Sequence, residues 1–338
     1  MTRAQTAGSA PGGHADAVAD LAGVIAQARD LLAAASRVVV LAHVHPDADA
    51  LGSALALGMA LSRRGVQVQV SFSSPAEVPQ SLRNLPGQEL VVPASLVDPD
   101  PDLLVTTDVN TADRLGELAK LIDRAPATLV IDHHASNTYF GTHHLVDPRA
   151  ESTTVLIGEL LRELGTPLDA ELAANLYAGL ATDTVGFRHA SAAAHRVAAE
   201  LLDTGIEPDE VLRPIIDTHP VGWLRLLSTV LGRARLQPVG HGRQLIWTGI
   251  GLADAAGLRP EELDSVIDIL RTTAEAQVAA VFKEMEPQQW QVSLRSGPGV
   301  DVSAVAVELG GGGHVRAAGY GFQGRVEDAV AQLVAALA

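Results

Sequence analysis

The stretch "RVVVLAHVHPDADALGSALALGMALSRRG" occupies residues 37–65. A valine-rich apolar run leads into a polar knot, His43 to Asp49. Apolar residues at helical spacing follow and stop at Gly65. The order predicts a buried strand, a short loop and a helix. A histidine, two carboxylates and a proline at the end of a buried strand are costly groups, and their placement asks for a reason.

The same alternation continues outward. Strands are expected at "VQVQVSFS" (66–73), "DLLVTTDV" (102–109) and "ATLVIDHH" (127–134), with a helix at "DRLGELAKLIDRA" (113–125). Further helices are expected at 17–36, 152–165, 170–184 and 191–205. Strands alternating with helices indicate an α/β chain with a doubly wound, mostly parallel sheet. From Trp223 the pattern changes. A helix at 223–236, strands at 243–250, 276–284 and 290–296, and helices at 260–273, 302–309 and 326–338 suggest a smaller mixed-sheet α/β domain. The expected division is a disordered tail at 1–18, a first domain at 19–206, a linker at 207–222 and a second domain at 223–338.

Composition limits the function. The chain has 338 residues and a formal charge of −16, from 24 Lys+Arg against 40 Asp+Glu. That balance disfavours long nucleic acid and anionic membranes as partners. A short anionic substrate stays compatible if Arg, His or bound metal reverses the field at one site. Without cysteine, disulfides and thiolate ligands are excluded, so any metal is held by histidine and carboxylate. The N-terminus has no apolar signal core and no stretch is apolar enough to span a bilayer, which predicts a cytoplasmic protein.

The out-of-place polar groups recur at the C-terminal ends of strands, where open parallel sheets bind ligands. His43, Asp47 and Asp49 follow the first strand, Asp108 ends "LLVTTD", and Asp132, His133 and His134 end "TLVIDHH". Asp183, in "ATDT", ends a helical stretch and could fold back to the same edge. Each aspartate alone reads as a helix cap; the joint pattern does not. Gathered carboxylates repel one another and take up protons unless cations intervene. Two divalent ions about 3.5–4 Å apart suit four or five carboxylates, activate a water and neutralise charge growing on a phosphoryl group. The expectation is a two-metal hydrolase of phosphate esters or anhydrides. His143, His144, His189, His195 and His219 lack that placement, although His189 stands beside Arg188, itself a candidate substrate contact. In the second domain, "GGGGHVRAAGYGF" (310–322) costs backbone entropy. Close backbone approach to an anion would explain the cost, a flexible loop being the plain alternative. His314, Arg316, Arg295 and Ser296 offer further donors, and Arg271 a weaker one.

"HVHPDADALGS", "TTD", "DHH" and "TDT", in that order, resemble the four motifs of the DHH phosphoesterase superfamily. "SLRSGPGVDVSAVAVELGGGGHVRAAGY" is similar to the signature of its associated C-terminal domain. The resemblance covers nearly the whole chain beyond the tail. Within the superfamily it points to small two-domain enzymes called nanoRNases or oligoribonuclease/phosphoadenosine-phosphate phosphatases, a branch that includes phosphodiesterases of cyclic di-AMP and its linear product pApA. It implies one metal held by His43, Asp47 and Asp108, and a second held by Asp49, Asp108, His133 and Asp183, with Asp108 bridging. His134 would meet the scissile phosphate, and Asp132 would orient a histidine. Arg295, Ser296, His314 and the backbone at Gly312 and Gly313 would hold the nucleotide in a cleft between the domains. Manganese is the implied ion, a metal-bridging hydroxide the implied nucleophile, and a homodimer the implied assembly. Ala48 departs from the motif, which commonly has glycine there; a negative φ would accommodate its methyl group.

Rival functions are an inorganic pyrophosphatase, which lacks the glycine-histidine motif, and a catalytically silent nucleotide sensor, which would be expected to have lost a metal ligand. A processive single-strand exonuclease would need further nucleic-acid-binding domains.

Overall fold

The computed structural model describes residues 13–338, which divide into two compact units, one ending at Thr218 and the other running from His219 to Ala338. Residues 1–12, most of the expected tail, lie outside the described residues. Residues 13–18, counted with that tail, are helical instead: they open α1 (Gly13–Ala34).

The first unit continues with β1 (Arg37–Ala42), α2 (Ala48–Arg63), β2 (Gln67–Ser71), β3 (Leu103–Thr107), β4 (Thr128–Asp132) and β5 (His143–Val146). It then runs through α3 (Thr153–Glu163), α4 (Ala170–Asp183), α5 (Ala192–Leu202) and α6 (Pro208–Ile216). The strands form one parallel sheet in the order β2-β1-β3-β4-β5. β3 and β4 are buried throughout. On one face Val38, Val40, Val105 and Ile131 pack with α1, α2, α3 and α4. On the other, Val39, Leu41 and Leu104 meet Leu115, Leu118 and Leu121.

Those three leucines sit in a 3₁₀ segment, Ala112–Leu121, where the sequence predicts an α-helix. Gly116 breaks it at φ 56° and ψ −134°. Helix α2 is buried along residues 48–61. Its Gly52 lets it lie against α4, since a Cβ there would sit 2.7 Å from the Asn175 carbonyl oxygen. Helix α6 occupies part of the segment expected to be a linker. Pro208 starts it at a position where no amide donor is needed, so proline there does not mark a connector.

The second unit comprises α7 (Val221–Gly232), β6 (Arg235–Val239), β7 (Arg243–Ile250), α8 (Leu252–Ala255), α9 (Pro260–Asp264), α10 (Val266–Leu270), β8 (Val278–Glu286), β9 (Gln289–Ser296), α11 (Val302–Glu308), β10 (Gly312–His314), β11 (Ala317–Gln323) and α12 (Val326–Ala336). Its six-stranded sheet is mixed, in the order β10-β11-β9-β8-β7-β6, with β7 and β8 parallel and the other pairs antiparallel. Helices cover both faces: Val302, Ala306 and Leu333 pack on one side, Leu226, Val266 and Leu270 on the other. Trp223, Trp247 and Trp290, the three tryptophans of the chain, all lie in this unit. Their indole N–H groups donate to Ser265 Oγ, Gln237 Oε1 and the Gly324 carbonyl. Among the described residues, no helix is long and apolar enough to cross a membrane.

Candidate metal centre

The ends of β1, β3 and β4 deliver their polar residues to one place. His43 follows β1 and is buried; its Nδ1–H donates to the Val44 carbonyl at 2.8 Å. Its Nε2 therefore faces Asp47 Oδ2 at 3.8 Å and Asp108 Oδ2 at 3.5 Å. Asp47 caps α2, with Oδ1 accepting from the amides of Asp49 and Ala50 at 3.1 and 3.0 Å. One oxygen serves the helix while the other looks at the histidine, so capping α2 leaves this residue able to take part in the site. Asp49 lies in the first turn of α2 and is fully buried.

Asp108 leaves β3 at φ 62°, a left-handed turn that is uncommon for a side chain. Its amide donates to the Ile131 carbonyl, which fixes it beside β4. His133 repeats the arrangement of His43. Its Nδ1–H donates to the Ala150 carbonyl at 3.2 Å. Its Nε2 lies 3.0 Å from Asp183 Oδ2, 3.5 Å from Asp108 Oδ1 and 4.0 Å from Asp49 Oδ2. Asp183 is the last residue of α4, so a helix end does fold back to the sheet edge.

Within the first unit, three triads have ligating atoms within 4.8 Å of one another: His43–Asp47–Asp108, Asp49–Asp108–His133 and Asp108–Asp132–His134. Asp108 belongs to all three. Burial, with Asp183 and Asp108 nearby, pushes the Asp49 carboxyl well above the usual carboxylate range. Burial likewise lifts Asp183 to about 6. Asp108 is held low against burial by its bond to His43 and by the other imidazoles. Burial opposes charge on His43 and His133. Asp108 and Asp47 nevertheless raise the first to about 10, and Asp183 with Asp49 and Asp108 raises the second to about 10.

The cluster thus favours positive charge placed among its carboxylates. Divalent cations supply that charge equally well, and both Nε2 atoms are aimed inward to coordinate them. A donor set of nitrogen and carboxylate oxygen, without sulfur, fits such ions.

His134 is oriented differently. Its Nδ1 bonds Asp132 Oδ1 at 2.7 Å, and Asp132 Oδ2 accepts from Asn137 Nδ2 at 2.6 Å. The Asp132 and Asp108 carboxylates raise the imidazole's affinity for a proton against the pull of burial. Asn137 went unnoticed in the sequence, although its spacing of five from Asp132 was available. Also missed was "STT" at 152–154, taken only as a helix start. Ser152 occupies the N-cap of α3 yet makes no side-chain cap bond there. The first two helix amides, Thr153 and Thr154, donate instead to Asp49 Oδ2 and Oδ1 at 2.7 and 2.9 Å.

The other candidates are not members of these triads. Arg188 is exposed on the turn after Asp183. In the second unit, Arg295 and Ser296 end β9. The Ser296 hydroxyl donates to the Val300 carbonyl at 2.8 Å, a structural use that the sequence did not suggest. The glycine run also has a structural use. Gly312, Gly313 and His314 form β10, and a Cβ on Gly313, at φ 140°, would sit 2.5 Å from the Ala317 carbonyl oxygen of β11. Close strand approach therefore explains Gly313, while Gly312 has open space where a Cβ would be.

The model of the DHH family N-terminal domain matches residues 37–180, and the DHHA1 domain matches 248–338. The chain is 33% identical over 290 residues to a bifunctional oligoribonuclease and PAP phosphatase of Thermus thermophilus, covering 85% of this chain and 84% of that protein. It is 25% identical over 307 residues to a cyclic-di-AMP phosphodiesterase, GdpP, of Geobacillus thermodenitrificans, covering 85% of this chain but 45% of that one. The fold is similar to that of an exopolyphosphatase-related protein from Bacteroides fragilis, with a TM-score of 0.84 at 24% identity over 94% of this chain and 96% of that one. With the motifs in order, the inward-facing cluster at the strand ends and these matches, the chain belongs to the DHH family of phosphoesterases, with a DHHA1 domain after the DHH domain.

Proposed function

We propose that this protein hydrolyses short nucleotides: oligoribonucleotides of a few residues, dinucleotides such as pApA, and 3'-phosphoadenosine 5'-phosphate. Two divalent cations, manganese by preference, would be held by His43, Asp47 and Asp108 and by Asp49, Asp108, His133 and Asp183. The observation that carries this reading is the sharing of Asp108 among three ligand triads. The Thermus relative, named for oligoribonuclease and phosphatase activity and matched over most of its length, supports the substrate class.

When bound, the cations supply Lewis acidity toward the phosphoryl oxygens and a nucleophile at neutral pH. The remaining work falls to side chains. The bonds from Nδ1 of His43 and His133 to carbonyl oxygens keep each Nε2 turned toward the carboxylates, the usual role of groups behind metal ligands. Asp132, steadied by Asn137, holds His134 with a proton on Nδ1. The imidazolium can then give its other proton, from Nε2, to the departing oxygen. In the second unit, Arg295 makes no ion pair among the described residues. Its bond to the Leu294 carbonyl leaves donors for an anion, and burial lowers its pKa, so an anionic partner would be well matched. We assign Arg295, Ser296, His314 and the backbone of Gly312 and Gly313, with Arg188, to substrate binding.

The test is kcat/KM with Mn²⁺ on 3'-phosphoadenosine 5'-phosphate, pApA, a five-residue RNA, cyclic di-AMP and pyrophosphate. Turnover of the short nucleotides, lost at least about 100-fold in Asp108→Ala, is the expected result, since removing groups that merely support ligands already costs ~10–100-fold. Turnover of pyrophosphate alone, or binding of nucleotides without turnover, overturns the assignment.

A further inference from the structure

Thr153 touches two carboxylates of the cluster at once, Asp49 and Asp108. Its backbone N–H donates to Asp49 Oδ2 at 2.7 Å and its hydroxyl donates to Asp108 Oδ1 at 2.9 Å. All three residues are buried. Asp49 is 104 residues away in the chain and Asp108 is 45 away, so neither contact is a by-product of local structure.

The grip on Asp49 is two-point. Its oxygens each take one amide from the first turn of α3, so the carboxylate cannot rotate without leaving two helix donors unpaired inside the protein. Helix α4 closes the other side. A Cβ on Gly179 would sit 2.7 Å from Asp49 Oδ1, 2.9 Å from its Cα and 2.5 Å from a methyl of Thr154. Asp49 is thus clamped between the start of α3 and the one kind of residue in α4 that leaves it room. Each carboxylate oxygen can accept more than one interaction, so the amides leave capacity for a cation. The Thr153 amide and hydroxyl are joined by a short covalent path, and the bond to Asp108 selects one of the few staggered χ1 rotamers. Their separation is therefore nearly fixed, and it is imposed on the carboxylates they hold.

From this geometry we infer that Thr153 is a positioning residue that sets the spacing between Asp49 and Asp108, and so between the two cation positions. The inference rests on the metal assignment above and gives Thr153 no contact with substrate. Its hydroxyl holds the shared ligand, Asp108, in the rotamer that serves both positions, while its amide anchors the ligand particular to one of them.

Two substitutions separate the parts. Thr153→Val keeps the shape and the backbone amide but deletes the hydroxyl; Thr153→Ser restores the hydroxyl. Mn²⁺ binding is measured by calorimetric titration of the full chain, and the magnetic coupling between paired Mn²⁺ ions by electron paramagnetic resonance. Thr153→Val is expected to weaken Mn²⁺ binding ~10–100-fold, as loss of a ligand-orienting partner commonly does, and to alter the coupling signature. Thr153→Ser is expected to recover both. A purely structural hydroxyl would shift the melting temperature and leave the coupling as in the wild type, and that result overturns the inference. So does equal weakening by both substitutions. If Thr153→Val fails to fold, Thr153→Ala against Thr153→Ser makes the same comparison. A wild-type protein that binds no Mn²⁺ would instead bring down the metal assignment itself.

Discussion

Val185 stands at φ 55°, between Thr184 and the equally left-handed Gly186 and Phe187, two residues after Asp183. For a β-branched side chain that region costs roughly 1–3 kcal/mol. Glycine adopts it freely but brings extra entropy to the unfolded chain, about 0.4–1 kcal/mol. The strain is the larger quantity, so Val185→Gly is expected to stabilise the protein by about 1 kcal/mol and to raise its melting temperature by about 2–4 °C. A thermal melt that stays level or falls would refute this. The candidate ligands other than Asp183, which ends a helix, are legible in the sequence because they recur together where apolar runs finish at strand ends, a pattern that single helix caps do not explain. Thr153 and Asn137 are not legible in that way. Serine and threonine before a helix have an ordinary cap as their first explanation, and nothing local says that the cap comes from Asp49 instead.

Glycines on helices separate two meanings of one residue. Replacing Gly52 by alanine gains about 1 kcal/mol of helix propensity but drives a methyl to 2.7 Å from the Asn175 carbonyl of α4, and backbone cannot swing aside. Overpacking typically costs about 1–3 kcal/mol, and this contact belongs at or beyond the upper end. Gly52→Ala should therefore lower the melting temperature, by about 4–8 °C for a net loss of about 2 kcal/mol. Gly158, on α3, has only a Leu176 methyl at 3.8 Å, so Gly158→Ala should raise it. Paired melts of the two variants decide the matter by sign. At this scale the buried strands β1, β3 and β4 are readable because apolar runs have few alternatives. The edges are harder. β5 begins with His143 and His144, β6 carries Pro238, and β10 is two glycines and a histidine, compositions tolerated where one flank of a strand has no partner. Pro214 inside α6 hid that helix in the same way.

Each unit has its own apolar core, and the carboxylate cluster lies wholly within the first. A ligand that binds only folded protein stabilises it by about 2.7 kcal/mol at one hundred times its dissociation constant. Mn²⁺ at that excess should move the calorimetric transition of the first unit upward by about 5–10 °C, and chelation should reverse the shift. Asp108→Asn should abolish it. An equal shift with and without Asp108 would mean that the ions act elsewhere. The distribution of indoles adds an optical consequence. Because every tryptophan sits in the half that carries Arg295 and His314, tryptophan emission, excited apart from tyrosine, is a private channel for that half. The nucleotide capture proposed for that half would be followed by intensity or colour, and the proposed ion loading among the aspartates by other means, with no label attached to either.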